Sequence, residues 1–236
     1  MNSVESVPIL VVSATEAECA PILRDICERQ TISTGLFAGT VSGQPIEVLI
    51  SGVGSVATTF RLTQILMQRR YSHAVSIGIA GSFTDDIAIG ETVQITEDCF
   101  ADLGIDNNGQ FLHLRETGLT CKYSEGDFMI NPSPTPSPFL KVRGVTVQTV
   151  SGSQKRIDEM KKLFLPQVET MENGAFFYVC RQMQMPFASF RAISNKVEPR
   201  NRENWKIEEA IKKMSESLIQ MIYSSKNLSN FATHNI

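Results

Sequence analysis

Cysteine is scarce and scattered: Cys19, Cys27, Cys99, Cys121 and Cys180 are the only five in 236 residues, and no two stand as CxxC. That odd set outlines neither a zinc site nor a disulfide framework, so buried or idle thiols are expected and no metal. Basic runs are missing too. Lys and Arg total 22 against 25 Asp and Glu, a net charge of −3, and no block is dense enough to neutralise a row of phosphates, so no nucleic-acid partner is expected and the substrate should be small. Long apolar runs are absent. The opening MNSVESVPILVVSA has no cationic start and an apolar run of only about six residues, too short for a secretion signal or a membrane span, which predicts a cytoplasmic protein without a membrane partner. The three histidines, His73, His113 and His234, lie in no GxSxG-like context. A serine or cysteine triad is therefore unsupported, and structural or solvent-facing roles are expected for them.

With 42% hydrophobic residues the chain can bury an ample core, and one domain over 1–236 is the expectation, with its core at about 7–224 and a frayed tail at 225–236. Short runs rich in Val and Ile alternate with stretches of helical period. VPILVV (7–12) precedes 16–30; IEVLI (46–50) precedes 54–70; AVSIGIA (74–80) follows; VTVQTV (145–150) precedes 153–164. ETME (169–172) leads into 173–184, and FASFRAIS (187–194) into 203–224. This rhythm predicts an α/β sandwich on a largely parallel, buried sheet, with functional residues where strands end and helices begin. Residues 82–125 break the rhythm with polar, alternating pieces such as ETVQIT. NPSPTPSP (131–138) must be a loop, either a plain connector or a flap beside a pocket.

Several junctions carry possible chemistry. SGVGSVATT (51–59) matches GxGxxA through Gly52, Gly54 and Ala57, but the next strand ends IGIAGS with no carboxylate for a ribose, so a dinucleotide cofactor is not expected. IGIAG (77–81) has the small residues that permit close backbone approach, by a ligand or by a packed helix. SATEAECAPI (13–22) places Glu16 and Glu18 in a first helical turn, where dipole complementation and a general base are equally good readings. TMENGAFF (170–177) puts Met171 and Glu172 at another junction. Glu172 is either a helix-start charge or a partly buried carboxylate in need of a donor, such as a sugar hydroxyl or an arginine.

Together, SATEAE, SGVGSVA, GIAGSF, TMENGAFFYVC and PFASFRAISN resemble the nucleoside phosphorylase and nucleosidase superfamily, in that order, over roughly residues 7 to 222. The resemblance implies a single-domain three-layer α/β sandwich with a mixed, largely parallel central sheet. It also implies a purine nucleoside pocket at the strand ends, no cofactor, and a homo-oligomer, dimer or larger. SATEAE is most similar to the hydrolytic branch, typified by methylthioadenosine/S-adenosylhomocysteine nucleosidases, and the glycine-rich turn with a phosphate-binding arginine is absent. Water is then the implied nucleophile. By that resemblance Glu18 is the base, Glu172 holds the ribose hydroxyls with Met171 against the sugar, and Thr15, Ala80 and Gly81 border the substrate. Ser194 bonds the base or Asn195, and Arg191 supports Glu172 or the sheet.

Asn195 stands where adenine-specific members carry aspartate. A carboxamide can donate to purine O6 or N7, whereas a carboxylate would face O6 acceptor to acceptor, so the substitution predicts hypoxanthine or guanine as the released base. With Arg200, Arg202 and Trp205 following, the chain resembles the futalosine hydrolase group. Either arginine could pair with the substrate's carboxylate or belong to a solvated cluster with Glu198, Glu203 and Glu208. Trp205 either walls the pocket or packs its helix. The rival readings are an inosine-type phosphorylase, a methylthioadenosine nucleosidase, and a nucleoside-binding or storage protein without catalysis.

Overall fold

The computed structural model describes residues 7–119, 127–132, 136–199 and 205–223, the last four as helix backbone. Cys121, Arg200, Arg202, His234, the expected tail at 225–236 and the middle of the Pro-Ser stretch lie outside these residues. In chain order the elements are β1 (Ile9–Ser13), α1 (Glu16–Asp25), β2 (Cys27–Ser33), β3 (Leu36–Val41), β4 (Gln44–Ile50), α2 (Ser55–Gln68), β5 (Ala74–Ser82), β6 (Thr92–Asp98) and β7 (Gly104–Asn107). There follow β8 (Gln110–His113), α3 (Leu114–Thr117), β9 (Met129–Ile130), β10 (Leu140–Thr146), α4 (Gln154–Phe164), β11 (Val168–Thr170), α5 (Asn173–Gln182), β12 (Phe187–Lys196) and α6 (Ile207–Tyr223).

The main sheet runs β11-β10-β6-β12-β5-β1-β4-β3-β2, with β9 on β6. Pairing is parallel for β1 with β4 and β5, and for β5 with β12; it is antiparallel for β12 with β6 and for β3 with its two neighbours. The sheet is mixed, as the resemblance implied. β11 also pairs antiparallel with β5, Val168 opposite Ser82 and Glu169 opposite Gly81. That second pairing closes β5, β12, β6, β10 and β11 into a ring and lays the end of β11 across the strand carrying IGIAG.

Alternation along β1 shows why the strand is sandwiched. Leu10 and Val12 join Leu62, Ile65, Phe176 and Phe177 of α2 and α5 on one face, while Ile9 and Val11 join Ile22, Leu23, Met214 and Leu218 of α1 and α6 on the other. Each such side chain is nearly or wholly buried, and truncating one to Ala costs about 2–5 kcal/mol. A third cluster seats α4 through Ile157, Met160 and Phe164 against Val145 and Val147.

Three expectations are corrected, and one stretch left without an assignment is placed. The helical stretch read over 16–30 stops at Asp25, and 27–33 is an exposed edge strand instead. Ile26 has extended backbone and fills the space that a side chain at Gly39 of β3 would occupy, which ends the helix. The polar ETVQIT stretch forms β6, which lies inside the sheet. Its Gln94 and Asp98 are fully buried because Ser137 donates to the former and Thr146 and Asn173 to the latter. The strand read at 145–150 lies at 140–146. Beyond it the chain turns, and exposed Gln148 reaches back to donate to Ser55 Oγ at 2.7 Å. Finally, β12 does not end at Ser194: a bulge between Ile193 and Asn195 carries it on to Lys196.

Candidate active site

Thr15 caps α1 from an extended conformation and forms a capping box with Glu18. The Glu18 carboxylate accepts from Thr15 N at 3.0 Å and Thr15 Oγ1 at 2.9 Å on one oxygen, and from Ile79 N of β5 at 3.1 Å on the other. Three donors on a group with about four acceptor sites leave one lone pair available. Room for the carboxylate comes from Gly78, where a Cβ would lie 2.8 Å from Glu18 Oε1. The two glutamates of the motif thus part company: Glu18 is buried, whereas Glu16 is exposed and complements the helix dipole.

Glu172 stands at the head of α5, half-buried, and its Oε1 accepts from Gly54 N at 2.8 Å. Gly52 and Gly54 have φ of +88° and +87°, a conformation glycine adopts without strain. The GxGxxA turn therefore aims an amide at a carboxylate of its own chain. Ser55 Oγ adds a bond to Met171 O at 3.2 Å, so the uncapped start of α2 clasps the Met171–Glu172 segment. Burial pushes the Glu172 carboxyl above the usual carboxylate range, Gly54 N–H and the Arg191 charge pull it back, and the Glu18 charge raises it again. The two carboxylates share one field.

Arg191 supplies the positive charge in that field. Only 2% exposed, it donates to Ser189 Oγ (3.2 Å), Phe190 O (2.8 Å) and Ser76 Oγ (2.9 Å). Of the two supports expected for it, the direct one is the sheet. Burial lowers its pKa while the charges of Glu172, Glu18 and Asp98 raise it.

The bulge in β12 presents Asn195 half-buried beside Gly81, where a Cβ would lie 3.2 Å from Asn195 Nδ2. Ser194 Oγ donates to Asn195 Oδ1 at 2.8 Å and lies 3.3 Å from Ala80 O, while Asn195 Nδ2 donates to Lys196 O at 2.7 Å. Those contacts fix the carboxamide's orientation, because turning it over would set its oxygen against the Lys196 carbonyl. Lys196 Nζ in turn holds the loop after β5 through Thr84 O and Ile87 O.

The fold therefore gathers Thr15, Glu18, Met171, Glu172, Arg191, Ser194 and Asn195 around the residues Gly78 to Gly81 of β5. Trp205 is half-buried just ahead of α6, in an open groove of about 710 Å³ with Ile207 and Glu208. It is held near β12 by Lys206 N donating to Ser194 O at 2.9 Å. His113 is structural: it is buried, bonded to Phe100 O at 3.0 Å and edge-on to Phe164. Gly54, read only as part of a rejected cofactor fingerprint, joins the site, and Gly78, Ser76, Asp98 and Asn173 join it or its support without having been singled out. For Gly78 the signal was the glycine-rich strand itself, which makes room for a carboxylate of α1. Among the described residues, no group of three or more His, Cys, Asp or Glu could hold a metal ion, and no helix is long and apolar enough to cross a membrane.

Comparison with known proteins agrees with this fold. A protein named 5′-methylthioadenosine/S-adenosylhomocysteine nucleosidase from Anoxybacillus flavithermus is 27% identical over 199 residues, 79% of this chain and 84% of its own. A futalosine hydrolase from Thermus thermophilus is 24% identical over 187 residues, covering 77% and 83%. In fold, the chain is similar to the native futalosine hydrolase of Helicobacter pylori, with a TM-score of 0.79 at 17% identity over 94% of this chain and 100% of that one. Residues 8–223 match the family described as the phosphorylase superfamily, and the chain belongs to that superfamily.

Proposed function

We propose that this chain is a purine nucleosidase that hydrolyses the N-ribosidic bond of futalosine or a close 6-oxopurine nucleoside, releasing hypoxanthine with water as nucleophile. A single nucleosidase domain over 1–236, a homo-oligomeric assembly and a cytoplasmic setting are parts of the proposal. The observation that carries the choice of purine is the Asn195 carboxamide, pinned by Ser194 and Lys196 O with one N–H left over. That N–H suits O6 or N7 of a 6-oxopurine.

Cleavage of an N-ribosidic bond places positive charge on the sugar and negative charge on the departing base, so the protein must meet both. Glu18, with its one available lone pair, aligns and deprotonates the attacking water. Glu172 accepts from the ribose hydroxyls while Met171 packs on the sugar, and the two carboxylates stabilise the ribosyl cation. Asn195 and Ser194 receive the purine between Ala80 and Gly81. Asparagine is no acid, so hypoxanthine leaves either as a delocalised anion or with a proton from water. Thr15 keeps Glu18 in place, Trp205 walls the base, and Arg200 or Arg202 pairs with the carboxylate beyond the 5′ carbon.

The curated relatives include enzymes named for methylthioadenosine as well as for futalosine. The deciding experiment incubates the protein without phosphate on futalosine, inosine and methylthioadenosine and identifies the freed base. Hypoxanthine from futalosine is expected. Adenine from methylthioadenosine alone, or release that requires phosphate, would replace this reading by one of its rivals.

A further inference from the structure

Asp98 is an acid the chemistry above does not use. It has no exposed surface, and two glycines make way for it: a Cβ at Gly144 would lie 2.6 Å from its Oδ2 and one at Gly174 3.1 Å from its Oδ1. Thr146 Oγ1 donates to Oδ1 at 2.7 Å and Asn173 Nδ2 to Oδ2 at 2.9 Å.

From Asp98 the hydrogen bonds run in two directions, and both end at the candidate site. Asn173 Oδ1 accepts from Ser189 Oγ, which accepts from Arg191 at 3.2 Å. Thr146 Oγ1 accepts from Gly174 N at 2.7 Å and lies 3.2 Å from Thr170 Oγ1, which accepts from Asn173 N at 3.3 Å. The Met171–Glu172 pair is therefore bracketed, with Thr170 on one side and Asn173 and Gly174 on the other, each tied to one buried carboxylate. The Thr146 and Thr170 hydroxyls can also reverse their donor sense, so the network stays satisfied whether Asp98 carries a proton or not.

We propose that Asp98 is a positioning residue: through Thr146, Thr170 and Asn173 it fixes the Met171–Glu172 segment, and through Asn173 and Ser189 it fixes the Arg191 guanidinium between Glu18 and Glu172. Its kinetic consequence rests on the nucleosidase reading, whereas its structural consequence does not. A carboxylate displaced by about 1 Å costs up to 10²-fold in rate. Asp98→Ala removes the anchor. Asp98→Asn can keep both bonds if Asn173 turns its carboxamide over, which then donates to Ser189.

The test compares wild type, Asp98→Ala, Asp98→Asn and Asn173→Ala by hydrogen exchange over residues 168–176, by kcat and KM on futalosine, and by base release from futalosine and its 6-amino analogue in competition. Asp98→Ala and Asn173→Ala should exchange at least about tenfold faster at the amides of positions 173 and 174 and lose about 10–100-fold in kcat/KM. Asp98→Asn should recover most of both, and the ratio of hypoxanthine to adenine release should not move. Wild-type exchange and kcat/KM in Asp98→Ala, or equal losses in Asp98→Asn and Asp98→Ala, would overturn the proposal. If Asp98→Ala does not fold, Asn173→Ala decides the same point. If wild type frees no purine from any nucleoside, the functional reading fails while the exchange comparison still decides this one.

Discussion

Asn195→Asp tests the choice of purine most directly. The new oxygen would replace Nδ2 at 2.7 Å from the Lys196 carbonyl, while the Ser194 hydroxyl at 2.8 Å still has an acceptor. An ionised carboxylate in that place sets acceptor against acceptor, so the aspartate either holds a proton to donate to Lys196 O or rotates away. Either way the one remaining N–H of wild type, which the proposal assigns to O6, is lost. A mismatched buried polar pair costs about 1–3 kcal/mol, or about 5- to 150-fold in kcat/KM, and the same carboxylate gains an acceptor's contact with a 6-amino group. The expected outcome is a fall of at least about tenfold in preference for futalosine over its 6-amino analogue. Both substrates are supplied together at low concentration without phosphate, and hypoxanthine and adenine are quantified, since product ratios under competition report kcat/KM. An unchanged ratio would refute the reasoning, because it would mean that the residue-195 amide does not read position 6. Asn195→Ala is the control and should slow both substrates without reversing them.

Glu18→Gln should lower turnover by about 10²–10⁴-fold with substrate binding kept, and wild-type turnover would remove Glu18 from the mechanism. A carboxamide cannot accept from both Thr15 N and Ile79 N, so one buried N–H is orphaned at about 1–3 kcal/mol; a thermal melt should fall by ~2–4 °C per kcal/mol yet stay cooperative. For Asp98, burial raises the pKa from 3.8 to about 7 against the pull of Thr146, Asn173 and Arg191. The folded protein then holds a proton that the unfolded chain releases, so this group's contribution to stability falls as pH rises from about 4 to 7. In urea unfolding, Asp98→Asn should gain on wild type across that window and track it below pH 4, and a pH-independent difference would count against a titrating Asp98.

The strands and helices that set the site were legible because their apolar patterns are strong: VPILVV, IEVLI, AVSIGIA and FASFRAIS all fall in or along sheet strands. ETVQIT was read only as a polar, alternating break in the rhythm, and its place inside the sheet depends on donors from residues 137, 146 and 173, which no local pattern reveals. The same non-locality hid Asp98. From the residues alone Glu16 and Glu18 were equal and only the resemblance favoured Glu18, because the contact that buries it, to Ile79 N, lies 61 residues away. IGIAG was read as space for a ligand or a helix, yet Gly78 and Gly81 make space for the two polar side chains, Glu18 and Asn195. A glycine pattern reports that something approaches closely and cannot say what.

On the proposed function, the distribution of charge around β5 would divide the labour between sugar and base. Glu18 and Glu172 stand against the single buried cation Arg191, which bonds to hydroxyls and a carbonyl and has no carboxylate within ion-pair distance among the described residues. With both glutamates ionised, the group carries a net negative charge, and partial burial leaves such a charge less screened than at a surface. A ribosyl cation forming there is attracted. A purine leaving as an anion is repelled by the same carboxylates, so the groups facing the base must be neutral donors or must carry a proton. Asn195 and Ser194 are neutral, and the bulge that carries β12 past Ile193 is what sets them beside Gly81. An ionised aspartate at 195 would add a third negative charge on the side where the base departs. If the proposed function holds, the carboxamide would lower the barrier electrostatically as well as by the shape of its hydrogen bonds, and 6-oxopurines, whose carbonyl delocalises the departing charge, would be the bases that gain most from it.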